Sequence, residues 1–184
     1  MNGRLPCPAD DTSTGFEDPL GGGDCTRQHG FLPNSTLGIS GGVNTDGLLI
    51  DPWGNPYRYS VAVRDASDSN RAFTSAAGLS TFYNNNEIST TDMLRVCDID
   101  DCSGAILGDV VPAIVISMGK NWADFSSANE VENGSGDSSM TGYTVTNTSD
   151  FVSAGYSEVN FDDMLTWVSP HLLFSKLITA GKLP

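Results

Sequence analysis

Positive charge is what this sequence has least of. Nine Lys and Arg residues stand against 23 Asp and Glu, a formal charge of −14 at neutral pH. Such a surface repels phosphate backbones, and no Lys/Arg cluster overrides it, which argues against nucleic-acid binding and against docking on anionic membranes. Long hydrophobic runs are missing too, so neither a transmembrane helix nor a signal peptide is legible. Histidine is scarce: His29 and His171 are the only two. Neither stands near a G-x-S-x-G elbow, and Gly134-Ser-Gly136 lacks that pattern, so nucleophilic catalysis is poorly served and both are read as surface residues. A phosphate cradle is absent as well, because Gly21-Gly-Gly23 runs directly into Asp24 and Cys25. No internal repeat or linker divides residues 1–184, which read as one domain.

Turn formers fill the space these absences leave. With 20 Gly and 9 Pro, and Ser, Thr, Asn and Asp throughout, the chain is expected to join short strands by long connections. Four cysteines suggest an oxidised framework. Cys97 and Cys102 flank Asp98-Ile-Asp-Asp101, and Cys7 and Cys25 bracket a Gly/Asp-rich loop. Local pairing, Cys7–Cys25 and Cys97–Cys102, is therefore expected among the three connectivities. Zinc is the rival, but the C-x-x-C spacing is missing. Disulfides place the chain outside the cytoplasm. A leader is then expected to have been removed ahead of Met1-Asn-Gly-Arg-Leu-Pro-Cys7.

Residues 1–46 show no period and read as irregular. Pro52, Gly54, Asn55 and Pro56 punctuate a tight turn, after which Tyr57, Tyr59, Val61 and Val63 alternate onto one strand face. Met93 to Cys97 and the β-branched run Val110 to Ser117 are further strands, the second with Pro112 near its start. Gly119 to Asp150 is read as a long polar loop in which Tyr143-Thr-Val145 forms a short strand. Phe151-Val152 and Phe161 to Val168 resume the core. One helix is clear, with Ser169 as N-cap, Pro170 in its first position and Gly181 past its end. The class is α+β with a mostly antiparallel sheet.

Carboxylates are abundant: Asp10-Asp11, Glu17-Asp18, Asp100-Asp101 and Asp162-Asp163. A hydrolase would need two of them facing across a cleft. Calcium, with its six to eight oxygen ligands, suits the loop from Lys120 to Asp137 better than the Asp98 to Asp101 cluster, where Cys102 and Ser103 break the EF-hand spacing.

Three stretches together carry a resemblance. Asp51-Pro-Trp-Gly-Asn-Pro-Tyr-Arg-Tyr59 resembles the D-P-W-G-N-P-Y-x-Y hallmark of type IV pilin-like proteins, above all the type II secretion pseudopilins. Its core is Asp51, Pro52, Trp53, Gly54, Asn55, Pro56 and Tyr57. Ser117-Met-Gly119-Lys-Asn121 is similar to the S-L-G-x-D/N segment of the same superfamily. Asn2-Gly-Arg-Leu-Pro6 is similar to the N-G-x-Y/L-P stretch after its long first helix. The resemblance implies a pilin-like head whose sheet packs on an N-terminal helix, here mostly absent.

It also implies a function: a major or minor pilin of a type IV pilus or related fibre, not an enzyme. That helix is cleaved and methylated, anchors the subunit in the inner membrane of a Gram-negative bacterium, and then joins other pilin subunits in an extracellular fibre. Contact with the membrane would run through the helix alone, and the isolated head would be a monomer. Related heads hold Ca²⁺ after the S-L-G segment, which points to Asp124, Glu130 and Glu132. Two other readings stand beside this one. The first is a secreted carbohydrate- or surface-binding domain using Trp53, Trp122 or Tyr143, whereas in the pilin reading the head is exposed for subunit packing and adhesion. The second is a carboxylate-dependent secreted hydrolase.

Overall fold

The computed structural model of the chain describes residues 4–21, 25, 27–62, 73–75, 93–122, 127–134, 150–158 and 160–183. Val63, the stretch Gly78 to Ser89, Tyr143 to Val145 and Asp124 lie outside them. The architecture is α+β, built on two sheets. Four strands form the first: β1 (His29–Phe31), β2 (Arg58–Val61), β5 (Ala113–Ser117) and β7 (Met164–Val168), in the order β1-β2-β5-β7 and antiparallel throughout. Three more form the second: β3 (Leu94–Cys97) lies between β4 (Ile106–Val111) and β6 (Asp150–Val152). β6 runs parallel to β3, so the expected antiparallel arrangement holds for the first sheet and only half of the second.

Directly opposed residues of an antiparallel pair share a face. One face of the first sheet therefore carries the rows Phe31, Arg58, Ile116, Leu165 and His29, Ser60, Ile114, Trp167. The second sheet packs on it. The His29 ring lies 6.0 Å from that of Phe151 on β6, and a side chain at Gly108 of β4 would meet the Trp167 indole. Phe151, Leu94, Val96, Val111, Ile114 and Ile116 close this layer with almost no exposure. On the opposite face Tyr59 and Val61 are buried, and the N-terminal stretch crosses them, its Pro6 carbonyl accepting from the Tyr59 hydroxyl at 3.2 Å.

The run Val110 to Ser117, expected as one strand, is divided. β4 ends at Val111, Pro112 has no N–H to give a ladder, and β5 begins at Ala113 in the other sheet. Val110 adopts a φ of +57°, a conformation that branched residues rarely take, at this corner. One stretch of backbone thus serves both layers.

The two local pairings are present. Cys7–Cys25 and Cys97–Cys102 are disulfides, the second closing the turn that follows β3. Residues 1–46 are less irregular than their composition suggests, since they hold β1 and the short helix α1 (Asn34–Leu37). The polar stretch after Gly119 also contains a helix, α2 (Ala128–Gly134). The last helix, α3 (Pro170–Thr179), starts behind Ser169, whose backbone is extended but whose hydroxyl makes no capping bond. It ends as the sequence indicates. Gly181 sits at φ +64°, its N–H reaches the Ile178 carbonyl at 2.9 Å, and the Lys182 N–H reaches Leu177 at 2.9 Å. That pair of bonds satisfies carbonyls the helix end would otherwise orphan.

Candidate functional site

The stretches singled out by sequence converge on the end of the first sheet where β2 begins and β5 ends. Asp51 opens a turn with Pro52 next and Gly54, at φ +91°, closing it through an N–H donated to the Asp51 carbonyl at 3.0 Å. The Asp51 side chain, buried at 5% exposure, is the hub. Its Oδ1 accepts from the N–H groups of Trp53 (3.0 Å) and Asn55 (2.9 Å), and its Oδ2 from the Ser117 hydroxyl (2.7 Å). Asn55 then donates its side-chain amide to the Gly119 carbonyl at 2.6 Å. Two stretches 66 residues apart are thus bonded through two pairs of side chains or backbone groups, and a carboxylate accepting three donors in a buried setting fixes the geometry strongly.

The N-terminal stretch enters separately. Arg4 holds Glu17 by two bonds, Nη1–Oε2 at 2.7 Å and Nη2–Oε1 at 2.6 Å, and Glu17 also accepts from the Cys7 N–H at 3.1 Å. Pro6 meets Tyr59, the last residue of the D-P-W-G-N-P-Y-R-Y stretch. Trp53 stands at the surface, 39% exposed; Trp122 is half-buried against the core.

Just beyond Gly119 lies a second constellation, in which Glu130, expected as a calcium ligand, meets the Asp162-Asp163 pair, a meeting the sequence did not indicate. Glu130, Asp162 and Asp163 are all buried, at 1%, 2% and 5% exposure. α2 brings in Glu130 through a reciprocal cap: the Ser127 hydroxyl accepts from the Glu130 N–H (3.3 Å) while Glu130 Oε2 accepts from the Ser127 N–H (3.2 Å). Glu130 Oε1 accepts from the Asn121 amide (3.1 Å) and the Asp162 N–H (3.3 Å). Asp162 Oδ2 accepts from the Lys120 N–H (2.7 Å), while its buried Oδ1 has no donor among the described residues.

Asn133, one turn further along α2, treats β6 as a neighbouring strand would. Its amide accepts from the Val152 N–H (2.7 Å) and donates to the Val152 carbonyl (2.9 Å), and it also donates to Asp163 Oδ2 (2.9 Å). Burial pushes the Asp163 carboxyl up to about 7; the Asn133 bond opposes this, and the nearby Glu130 and Asp162 charges add to it.

Of the residues expected to hold calcium, Glu130 faces this interior, Glu132 is half-buried on the same helix, and Asp124 lies outside the described residues. Among the described residues no three Asp, Glu, His or Cys side chains are grouped to hold a metal ion. Asp98 and Asp101 serve their own turn, accepting from the N–H groups of Ala105 (2.7 Å) and Ser103 (2.9 Å). The Ser127-x-x-Glu130 spacing is the one sequence signal that could have revealed α2 and, with it, the inward Glu130.

His29 is a correction. Expected at the surface, it is 5% exposed on the face where the two sheets meet, with Nδ1 2.8 Å from the Ser60 hydroxyl. Burial pushes its pKa down to about 3. It packs as a neutral core side chain, placed by the alternation of β1. His171, on the first turn of α3, is exposed.

Gly119 joins the two constellations. It sits at φ +65°, and a Cβ there would collide with the Asp162 carboxyl group. Gly119→Ala is expected to destabilise the fold by about 2–4 kcal/mol, through strained backbone and displacement of a buried carboxylate. Urea unfolding followed by tryptophan fluorescence checks this, and a loss below about 0.5 kcal/mol would mean the contact yields freely.

Comparison with protein-family models, with curated proteins and with solved structures found no match.

Proposed function

We propose that this chain is the head of a type IV pilin-like fibre subunit, a structural rather than catalytic protein. The observation that supports the reading is the junction of Asp51, Asn55, Ser117 and Gly119. The residues on which the resemblance rests are the ones that bond each other, from stretches distant in sequence. Turn-forming residues that matched by composition alone would have no reason to meet. The disulfides and the acidic surface agree with a place outside the cell.

In this reading other subunits are the partners. Assembly runs through an N-terminal helix, and the head faces outward. The head of such a fibre needs resistance to dissociation and proteolysis more than it needs a cleft, which suits a surface tied by disulfides and turn-forming side chains. Calcium belongs to the reading as a ligand of the Lys120 to Asp137 region.

The test is expression of the full gene product in a host that builds type IV fibres. The protein is expected in the sheared fibre fraction, detected by antibody, and its removal from that fraction is expected when the prepilin peptidase is deleted. A product that stays in the soluble extracellular fraction in both strains would sink the proposal and favour a free surface-binding domain.

A further inference from the structure

Each sheet ends in two edge strands, and an unpaired edge is a template for another chain. Three of the four edges are closed or blunted. β1 bonds Ala9 through both backbone groups of Phe31, at 2.8 and 2.9 Å. β6 gives both backbone groups of Val152 to the Asn133 amide, at 2.7 and 2.9 Å. β4 exposes Ile106 and Leu107, but its pairing with β3 shifts register and Val110 turns to a φ of +57°. Asp109 stands on β4 too, behind the acidic turn of Asp98, Asp100 and Asp101. β7 is the exception. Its five residues keep an unbroken register with β5, and among the described residues no segment bonds its outer side. It holds no charge, no proline and no glycine. Met164 is 46% exposed, Thr166 is exposed, and Leu165, Trp167 and Val168 are half-buried.

Charge limits what can meet this edge. A chain of −14 repels its own copies, most strongly where acids would face acids, as along β4. From Met164 onward the sequence holds no Asp or Glu, and the two acids just ahead, Asp162 and Asp163, are buried. β7 is also complementary to itself. Antiparallel pairing about a two-fold axis through Thr166 sets Thr166 opposite its counterpart, Met164 opposite Val168, and Leu165 opposite Trp167. No like charges meet, and the exposed methionine gains an apolar neighbour. We propose that β7 is a homodimer edge, along which two copies join their four-stranded sheets into one continuous antiparallel sheet. This goes beyond the fibre reading and does not rest on it, and it departs from the monomeric head that the resemblance implies. Five residues span only about 17 Å, so the interface belongs to the small, transient class.

Sedimentation velocity on the wild-type chain, from about 10 μM to about 1 mM, tests this without any substitution. A monomer–dimer equilibrium is expected, with a dissociation constant on the order of 100 μM. Raising NaCl from about 0.05 M to about 0.5 M should tighten it about 3-fold or more, because the two heads repel and the contact contains no ion pair. Thr166→Lys and Thr166→Glu each set like charges across the axis and should weaken association by about 10-fold or more. An equimolar mixture of the two variants should restore it, since Lys then faces Glu. Position 166 is exposed, so both variants should melt within about 3 °C of wild type. Should they misfold, the wild-type concentration and salt series decides alone.

A wild-type chain that stays monomeric at about 1 mM in both salts would overturn the dimer edge. So would a dimer that salt weakens. A dimer that both variants leave intact would place the contact elsewhere, as on the exposed Leu172 and Ile178 of α3, and would overturn it equally. Variants that lose the dimer singly and do not regain it when mixed would overturn the two-fold register through Thr166.

Discussion

Replacing Asp51 by Ala is expected to cost about 3–5 kcal/mol of stability. The carboxylate accepts from Trp53, Asn55 and Ser117, and its removal strands three donors, two of them on buried residues. Bonds to a charged acceptor are worth about 1.5–3 kcal/mol each, though not additively, because the turn relaxes once its hub is gone. For a chain of this length the melting temperature should fall by roughly 6–20 °C. Ser117→Ala removes one of the three donors and should cost about 1–2 kcal/mol. The double variant should fall short of the sum, since the two side chains share a bond. Differential scanning calorimetry of the four proteins decides the matter. An Asp51→Ala melting point within about 2 °C of wild type would show the junction to be ornamental.

The second large effect is acid sensitivity at His29. Its folded pKa is depressed from 6.5 to about 3, so the unfolded chain takes up a proton that the folded chain refuses. The contribution of His29 is present above pH 6.5 and is lost as pH falls from there toward 3, at up to about 1.4 kcal/mol per pH unit. Between pH 6 and pH 4 the loss should reach roughly 2–3 kcal/mol.

Asp163 runs the other way over nearly the same window, from about 7 down to 3.8, so the wild-type profile is expected to be flatter than either group alone would make it. Substitution separates them. His29→Gln keeps a polar group near Ser60, should cost about 1 kcal/mol at pH 7, and should turn the profile into one in which stability rises on acidification. Urea midpoints at pH 7, 5.5 and 4 give the answer. Parallel profiles for wild type and His29→Gln would mean that the imidazole takes up its proton in the folded state too.

Much of the frame was legible before any coordinates. Alternation marked Tyr59 and Val61 as one face of a strand, spacing paired the cysteines, and Gly181 marked the end of α3. These signals work because each depends on a few adjacent residues. The junction was half legible. Its residues stood out by resemblance, but that Asp51 would take the Ser117 hydroxyl depends on a contact across 66 positions, which no local rule contains.

Other features were hidden for identifiable reasons. Pro112 was read as the edge of one strand, because a strand that changes sheets has the same local pattern as one that does not. Asp162 and Asp163 were lost among the chain's other carboxylates, since burial and not identity makes them unusual. His29 was misplaced because a three-residue strand is too short to show its period.

The corner at Pro112 also sets what this protein can tolerate by insertion. Side chains alternate with a period of two, so one residue added on either side of Pro112 must be absorbed as a slip in one of the two layers. A slip in β5 would reverse Ile114 and Ile116, which now face the second sheet, and would carry Ser117 away from Asp51. A slip in β4 would turn Val111 out of the core instead. The backbone there behaves as a ruler shared by both sheets, and its length between Val111 and Ser117 is as much part of the specification as the residues along it.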